Sequence, residues 1–173
     1  VTILAMLAGF LDATDYLDVY GLASPWTGFL NFAFSTGTLT IPVPNDATLG
    51  AALGGMVTDQ IFLLGGLVDR NADPAKPLDG FDTFFNDNEY FYHFEVGWTS
   101  SQDRIYLDNI HLTGWFADER EDASVEDGWG LAFSAAWFID DTWMPFLRAG
   151  YSDEGGALLE ASVSAGVGYY FKE

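Results

Sequence analysis

The side chains able to do chemistry recur at every second position along short apolar segments. His93 and Glu95 alternate with Tyr92, Phe94 and Val96; Asn109, His111, Thr113 and Trp115 alternate with Ile110, Leu112, Gly114 and Phe116. Arg148 falls in phase with Met144, Phe146 and Gly150. Together they offer hydrogen-bond donors, acceptors and an indole surface. An arginine in an apolar strand must face water or a partner, which leaves Arg148 either to contact a molecule passing that face or to pair with a neighbouring acid such as Glu95 as a structural counter-ion. Other chemistries have weaker support. His93 and His111 could begin a zinc site, but no third-ligand pattern accompanies them. Asp69, Asn71 and Asp73 resemble the opening of a calcium loop, yet Pro74 and Gly80 stand where that loop needs glycine and an acid. Ser134 or Ser162 with either histidine makes no recognisable nucleophile-and-base spacing, so the chain is read as not an enzyme.

Period-two alternation means strands. Candidates lie at 1–10, 47–57, 60–69, 88–99, 104–116, 129–139, 143–152 and 160–172. One face carries the apolar series Leu131, Phe133, Ala135, Trp137 and Ile139, or Val163, Val167 and Tyr169; the other carries the polar residues. Ile105 and Leu107 are out of phase with the later part of their strand, which predicts a β-bulge near Asp108. Connections at 58–59, 100–103 and 140–142 are short, whereas 70–87, 117–128 and 153–159 are long and acidic. Such alternation suits an outer-membrane barrel, with short periplasmic turns and long extracellular loops.

The 173 residues suit one domain, residues 1–173. With 6 Lys+Arg against 26 Asp+Glu, the chain lacks the basic patches that phosphate contacts need, so no nucleic-acid partner is expected. No cysteine is present, which excludes disulfides and thiolate chemistry. No apolar run is long enough for a membrane helix, and no signal peptide opens the chain. Val1-Thr2-Ile3-Leu4 reads as mid-strand, which points to a piece of a longer protein, with a mature N-terminus after signal removal as the alternative.

Segment 11–46 is too long for an ordinary loop. Asp12-Ala13-Thr14-Asp15 predicts a capped helical turn, and Pro25 to Phe34 a second one starting at proline. The segment is placed either folding inward between the strands or capping the rim.

In order, Asp12-Ala13-Thr14-Asp15-Tyr16-Leu17-Asp18-Val19-Tyr20, Phe29-Leu30-Asn31-Phe32-Ala33, Leu63 to Pro74, Val96-Gly97-Trp98-Thr99 and Pro145-Phe146-Leu147-Arg148-Ala149-Gly150-Tyr151-Ser152 make the chain similar to the carbohydrate-selective porins of the OprB type. The resemblance spans almost the whole chain and rests on the set rather than on any single motif. It implies an all-β, antiparallel up-and-down transmembrane β-barrel in the bacterial outer membrane, 16-stranded in the family, of which this chain supplies about eight strands. Sugars would diffuse through it passively, without cofactor or metal, past pore-lining His93, Glu95, Asn109, His111, Trp115 and Arg148. The partners implied are the lipid bilayer and small sugars, with a homo-oligomer left open. The trailing Lys172-Glu173 departs from the terminal aromatic usual in such barrels. The alternative is a soluble, lipocalin-like eight-stranded binder, which would turn Tyr92, Phe94 and Trp98 inward and His93 and Glu95 outward.

Overall fold

A computed structural model describes residues 4–24, 28–44, 47–71, 73 and 75–171. The alternating segments form β1 (Leu4–Leu11), β2 (Thr48–Met56), β3 (Ile61–Asp69), β4 (Tyr90–Thr99), β5 (Asn109–Ala117), β6 (Gly128–Ala136), β7 (Trp143–Glu154) and β8 (Ala161–Tyr169). Each strand pairs antiparallel with the next in one eight-stranded up-and-down sheet, whose edges β1 and β8 do not pair with each other. The short connections 57–60, 100–108 and 137–142 therefore share one end of the sheet. The links 12–47, 70–89, 118–127 and 155–160 share the other.

Register sorts the side chains into rows. His93 faces Trp115, Glu95 faces Thr113, and one row runs Gly97, His111, Ser134, Arg148, Ser164 across five strands. All of these point to one face, covered by the 12–47 link. The opposite face is open. One of its rows reads Leu63, Val96, Leu112, Phe133, Ala149, Val163, and Phe94 and Val163 on it are 53% and 76% exposed. Tyr90, Tyr92, Phe116, Trp129 and Tyr151 stand toward the long-link end of this face, and Trp98, Trp143 and Tyr169 toward the short-turn end. Rings pack along both bands, as in Tyr92–Phe116 and Trp143–Tyr169, with centroids 6.1 and 4.6 Å apart.

Several expectations are corrected. There is no bulge at Asp108: residues Gln102–Arg104 form a 3-10 turn and β5 begins at Asn109, so Ile105 and Leu107 are out of phase because they precede the strand. β6 ends at Ala136, and only an isolated bridge joins Ile139 to Trp143. Ala135 keeps the expected facing, in phase with Leu131 and Phe133, and is buried there because its methyl is too short to clear its cross-strand neighbours Ile110 and Leu147. Link 70–89 contains helical turns from Pro77 to Asp87. In the 12–47 link, Ala13–Asp15 forms the predicted capped turn; the second predicted segment holds a short 3-10 turn at Phe32–Phe34, and a further 3-10 turn at Thr36–Leu39 follows it. The predicted start of that segment at Pro25, the strand residues before Leu4, Pro74 of the calcium-like stretch, and Lys172-Glu173 lie outside the described residues.

Large side chains fit the covered face because glycines stand opposite them. Gly97 leaves room for Phe62 and the His111 side chain; Gly130 leaves room for Trp115. A Cβ at Gly130 would lie 2.5 Å from both Trp115 Nε1 and the Tyr151 carbonyl oxygen. The ring could turn aside, but the carbonyl belongs to the β6–β7 ladder and cannot. Gly130→Ala should therefore destabilise by about 1–3 kcal/mol, read as a lower thermal unfolding temperature. An unchanged temperature would mean that this pair is not close-packed.

Candidate functional site

The covered face owes its geometry to the first part of the link. Asp12 accepts from the Thr14 backbone N–H at 2.9 Å and from its hydroxyl at 2.6 Å, starting the turn. Ala13 and Leu17 then bury completely against Val68, Phe91 and Trp115. That contact lowers the next residue, Asp18, onto the middle of the sheet. Asp18 has φ +53°, in the left-handed region that aspartate tolerates better than most residues.

Asp18 is fully buried. Its Oδ1 lies 2.8 Å from His111 Nε2. Its Oδ2 accepts from Arg148 Nη2 and from the Gly37 backbone N–H. Its own N–H donates to Glu95 Oε2 at 2.8 Å, which also accepts from the Thr113 hydroxyl at 2.7 Å. Burial opposes ionisation of Asp18, but the Arg148 guanidinium, the His111 hydrogen bond and the Gly37 amide outweigh it and hold the carboxyl below its ordinary range.

Arg148 is equally buried and is spent on the link. It donates to the carbonyls of Phe34, at 3.2 Å, and of Ser35, and its guanidinium carbon sits 4.5 Å from the centre of the Tyr20 ring. Its counter-ion is Asp18, not the expected Glu95. Glu95 is occupied with the Asp18 amide and Thr113, and sits one row further along the sheet.

All six predicted site residues lie on this one face, and all are buried: His93, Glu95, Asn109, His111, Trp115 and Arg148. They do not form one cluster. Glu95, His111 and Arg148 meet around Asp18. Asn109 Nδ2 holds the link and the preceding turn together, donating to Val19 O at 2.9 Å and Ile105 O at 2.7 Å. His93 and Trp115 belong to an aromatic layer, where Phe91 stacks on both and Tyr16 covers His93 with ring centres 5.5 Å apart. The Glu95–Thr113 row separates the two histidines. Ser134 stands directly opposite His111, but no hydrogen bond joins its hydroxyl to the ring. Asp69 accepts from Asn71 N–H at 3.0 Å and from the Thr83 hydroxyl, so its carboxylate serves the loop.

Asp18, Tyr16, Tyr20 and the turn residues 102–106 were not anticipated as site residues. One signal for Asp18 was available: a lone carboxylate in Tyr16-Leu17-Asp18-Val19-Tyr20, where every neighbour favours burial and none offers a counter-charge.

Of the six predicted residues, Glu95 and Asn109 also border a cavity of about 320 Å³ between the link, the turn 102–106 and the β2–β3 hairpin. Tyr16 and Tyr106 contribute phenol rings to it. Burial first, and then the nearby Asp12 charge, push the Tyr16 phenol up to about 12, so it stays neutral as a donor at ordinary pH.

The Asp18 contacts make stability depend on acidity. A depressed carboxyl contributes fully above its unfolded value, near 4, and that contribution disappears as pH falls through the lower folded value. Acid titration of unfolding should show this loss in the parent and not in Asp18→Asn. At neutral pH, Asp18→Ala should cost about 3–5 kcal/mol by leaving Arg148 buried without its counter-ion; a cost below about 1 kcal/mol would mean that the pair is solvated.

In comparisons with known proteins, no family model, no curated protein and no solved structure matches the chain.

Proposed function

We propose that the chain is part of an outer-membrane porin of the carbohydrate-selective OprB type, through which neutral sugars diffuse passively. The observation that carries this reading is the asymmetry of the sheet. One face is apolar and open, with aromatic bands toward both ends and aliphatic residues between them. The other holds ionisable residues. Aromatic girdles flanking an apolar band match what a bilayer asks of a barrel wall. Strands of 8 to 12 residues are long enough to cross the hydrocarbon when tilted. The sheet's two free edges fit the same reading, because unpaired backbone cannot face lipid and further strands must complete the wall. A lipocalin-like binder would place Tyr92 and Phe94 inside, and their exposure weighs against it.

In this reading the 12–47 link is a strap across the lumen, pinned by Asp18 to β4, β5 and β7. Passive diffusion needs no nucleophile, cofactor or energy source, only a polar passage beside the strap. The pore-lining role falls to Glu95 and Asn109, whereas Arg148 and His111 act by positioning the strap.

The direct test is swelling of liposomes carrying the protein, with neutral sugars compared against amino acids and salts. Sugar-driven swelling is expected. A protein that stays dispersed without detergent and leaves the liposomes impermeable would overturn the proposal. Arg148→Ala should release the strap, raise single-channel conductance and lower the unfolding temperature together. Unchanged conductance with lower stability would remove the strap from the permeation path.

A further inference from the structure

The 70–89 link leans outward, onto the open face. Its helical turns run without a break from Pro77 to Asp87, and Phe10 fixes their direction. Leu11 packs into the covered layer, so Phe10 beside it stands on the open side of β1. Phe81 meets that ring edge-on, with centres 5.7 Å apart. Toward the other end of the helix, Phe84 packs on Tyr90 at 5.1 Å, and the Tyr90 hydroxyl donates to the Phe84 carbonyl. Tyr90 in turn packs on Tyr92, so the aromatic band of the sheet continues into the helix.

The helix presents three stripes. Gly80, Thr83 and Phe84 are its least exposed residues and turn toward the protein; a Cβ at Gly80 would touch the Phe10 ring at 3.4 Å, and the Thr83 hydroxyl donates to Asp69. Leu78, Phe81 and Phe85, spaced i, i+3 and i+7, share one outer flank. Leu78 is 77% and Phe85 65% exposed. Asp79, Asp82 and Asn86 repeat that spacing one residue on, are exposed as well, and are linked by Asn86 Nδ2 donating to Asp82 at 3.1 Å. Apolar and acidic flanks thus lie side by side, with the apolar one toward the open face.

We propose that helix 77–87 is an interfacial anchor, seated in the headgroup boundary of a lipid bilayer with Leu78, Phe81 and Phe85 in the lipid and Asp79, Asp82 and Asn86 in water. Aromatic girdles mark that boundary, and an amphipathic helix lies in its plane with the apolar flank buried. Three side chains are few beside the about 20–30 residues that each side of a stable protein interface engages, which favours lipid over a second protein. Asp79, Asp82 and Asp87 stand against Lys76 alone, so the affinity comes from apolar burial and not from attraction to anionic headgroups. The proposal rests on the reading of the open face as a bilayer-facing wall and extends it from the strands to a link.

The chain has no cysteine, so a single one can be introduced and labelled cleanly. Leu78→Cys, Phe85→Cys, Asp79→Cys, Asn86→Cys and, in the middle of the open face, Phe94→Cys all replace exposed side chains and should retain the fold. Each full chain, carrying a bimane fluorophore, is placed in dilute phosphatidylcholine vesicles and quenched by nitroxide-bearing lipids or by aqueous iodide. Labels at 78 and 85 should lose fluorescence to a nitroxide about 5–10 Å into the headgroup–acyl boundary and resist iodide; labels at 79 and 86 should do the opposite. Iodide reaching all four helix positions, with position 94 quenched only by lipid, would overturn the anchor and leave the wall standing. Lipid quenching at 78 and 85 with position 94 open to iodide would support the anchor and sink the wall. Iodide at every position would sink both. Positions 78 and 85 shielded from both quenchers, with Leu78→Cys chains cross-linking to one another, would give the stripe to a second copy and overturn the anchor.

Discussion

A carboxylate with no exposure to water, placed in the middle of a link between two strands, is the constraint on which the rest of this structure depends. Asp18 can be buried as an anion only if donors converge on it. Arg148 from β7, His111 from β5 and the backbone of the turn at Thr36–Leu39 supply them. Its own amide in turn satisfies Glu95 on β4. Three strands and two parts of the link are thus fixed by one residue. Buried pairs of this kind contribute less to net stability than to uniqueness, because every alternative seating of the link leaves Arg148 unpaired. Register follows from the same contacts: a one-residue slip of β7 would carry Arg148 to the opposite face.

The two faces then require each other. An open face covered with Phe94, Leu112, Phe133 and Val163 is a contiguous apolar surface of the kind that marks contact with another apolar surface. A face bearing Glu95, His111 and Arg148 is stable only against water or a polar cover. The link acts as that cover over β4 to β7, replacing solvent with its own amides, carbonyls and carboxylate. The Phe91, Trp115, Leu17 and Ala13 layer excludes water beside it, which strengthens the ionic contacts by lowering the local dielectric.

Most of this sheet was legible because strand periodicity is a local property. The alternation from Tyr90 to Trp98 assigns both faces of β4 without knowledge of its neighbours, and the short turns fix the order of pairing. Errors arose where periodicity stops carrying information. Ile105 and Leu107 are apolar because they pack beneath a turn, not because they belong to a strand. Ala135 has the phase of the open face but not the reach. The partner of Arg148 differs from expectation for another reason: the contact spans 130 positions, and no charge pattern distinguishes Asp18 from the many other acids. Only its apolar flanks set it apart. Spatial grouping of the six site residues was likewise invisible, since alternation gives the face of a residue and not its row's contents beyond the strand.

Row contents are what divide the covered face into two regions. On β4, β5 and β7 the inward positions include His93, Glu95, Asn109, His111, Phe146 and Arg148, and the strap engages each of these. On β2 they are Thr48, Gly50, Ala52, Gly54 and Met56, and on β3 Gly66 stands among Phe62, Leu64 and Val68. β2 carries no charged residue to attract the strap. The strap therefore settles to one side, held by Asp18, and the space it leaves falls against the small residues. Glu95 and Asn109 stand at the boundary between the regions: each gives part of its hydrogen-bonding capacity to the strap, and each also borders the open side.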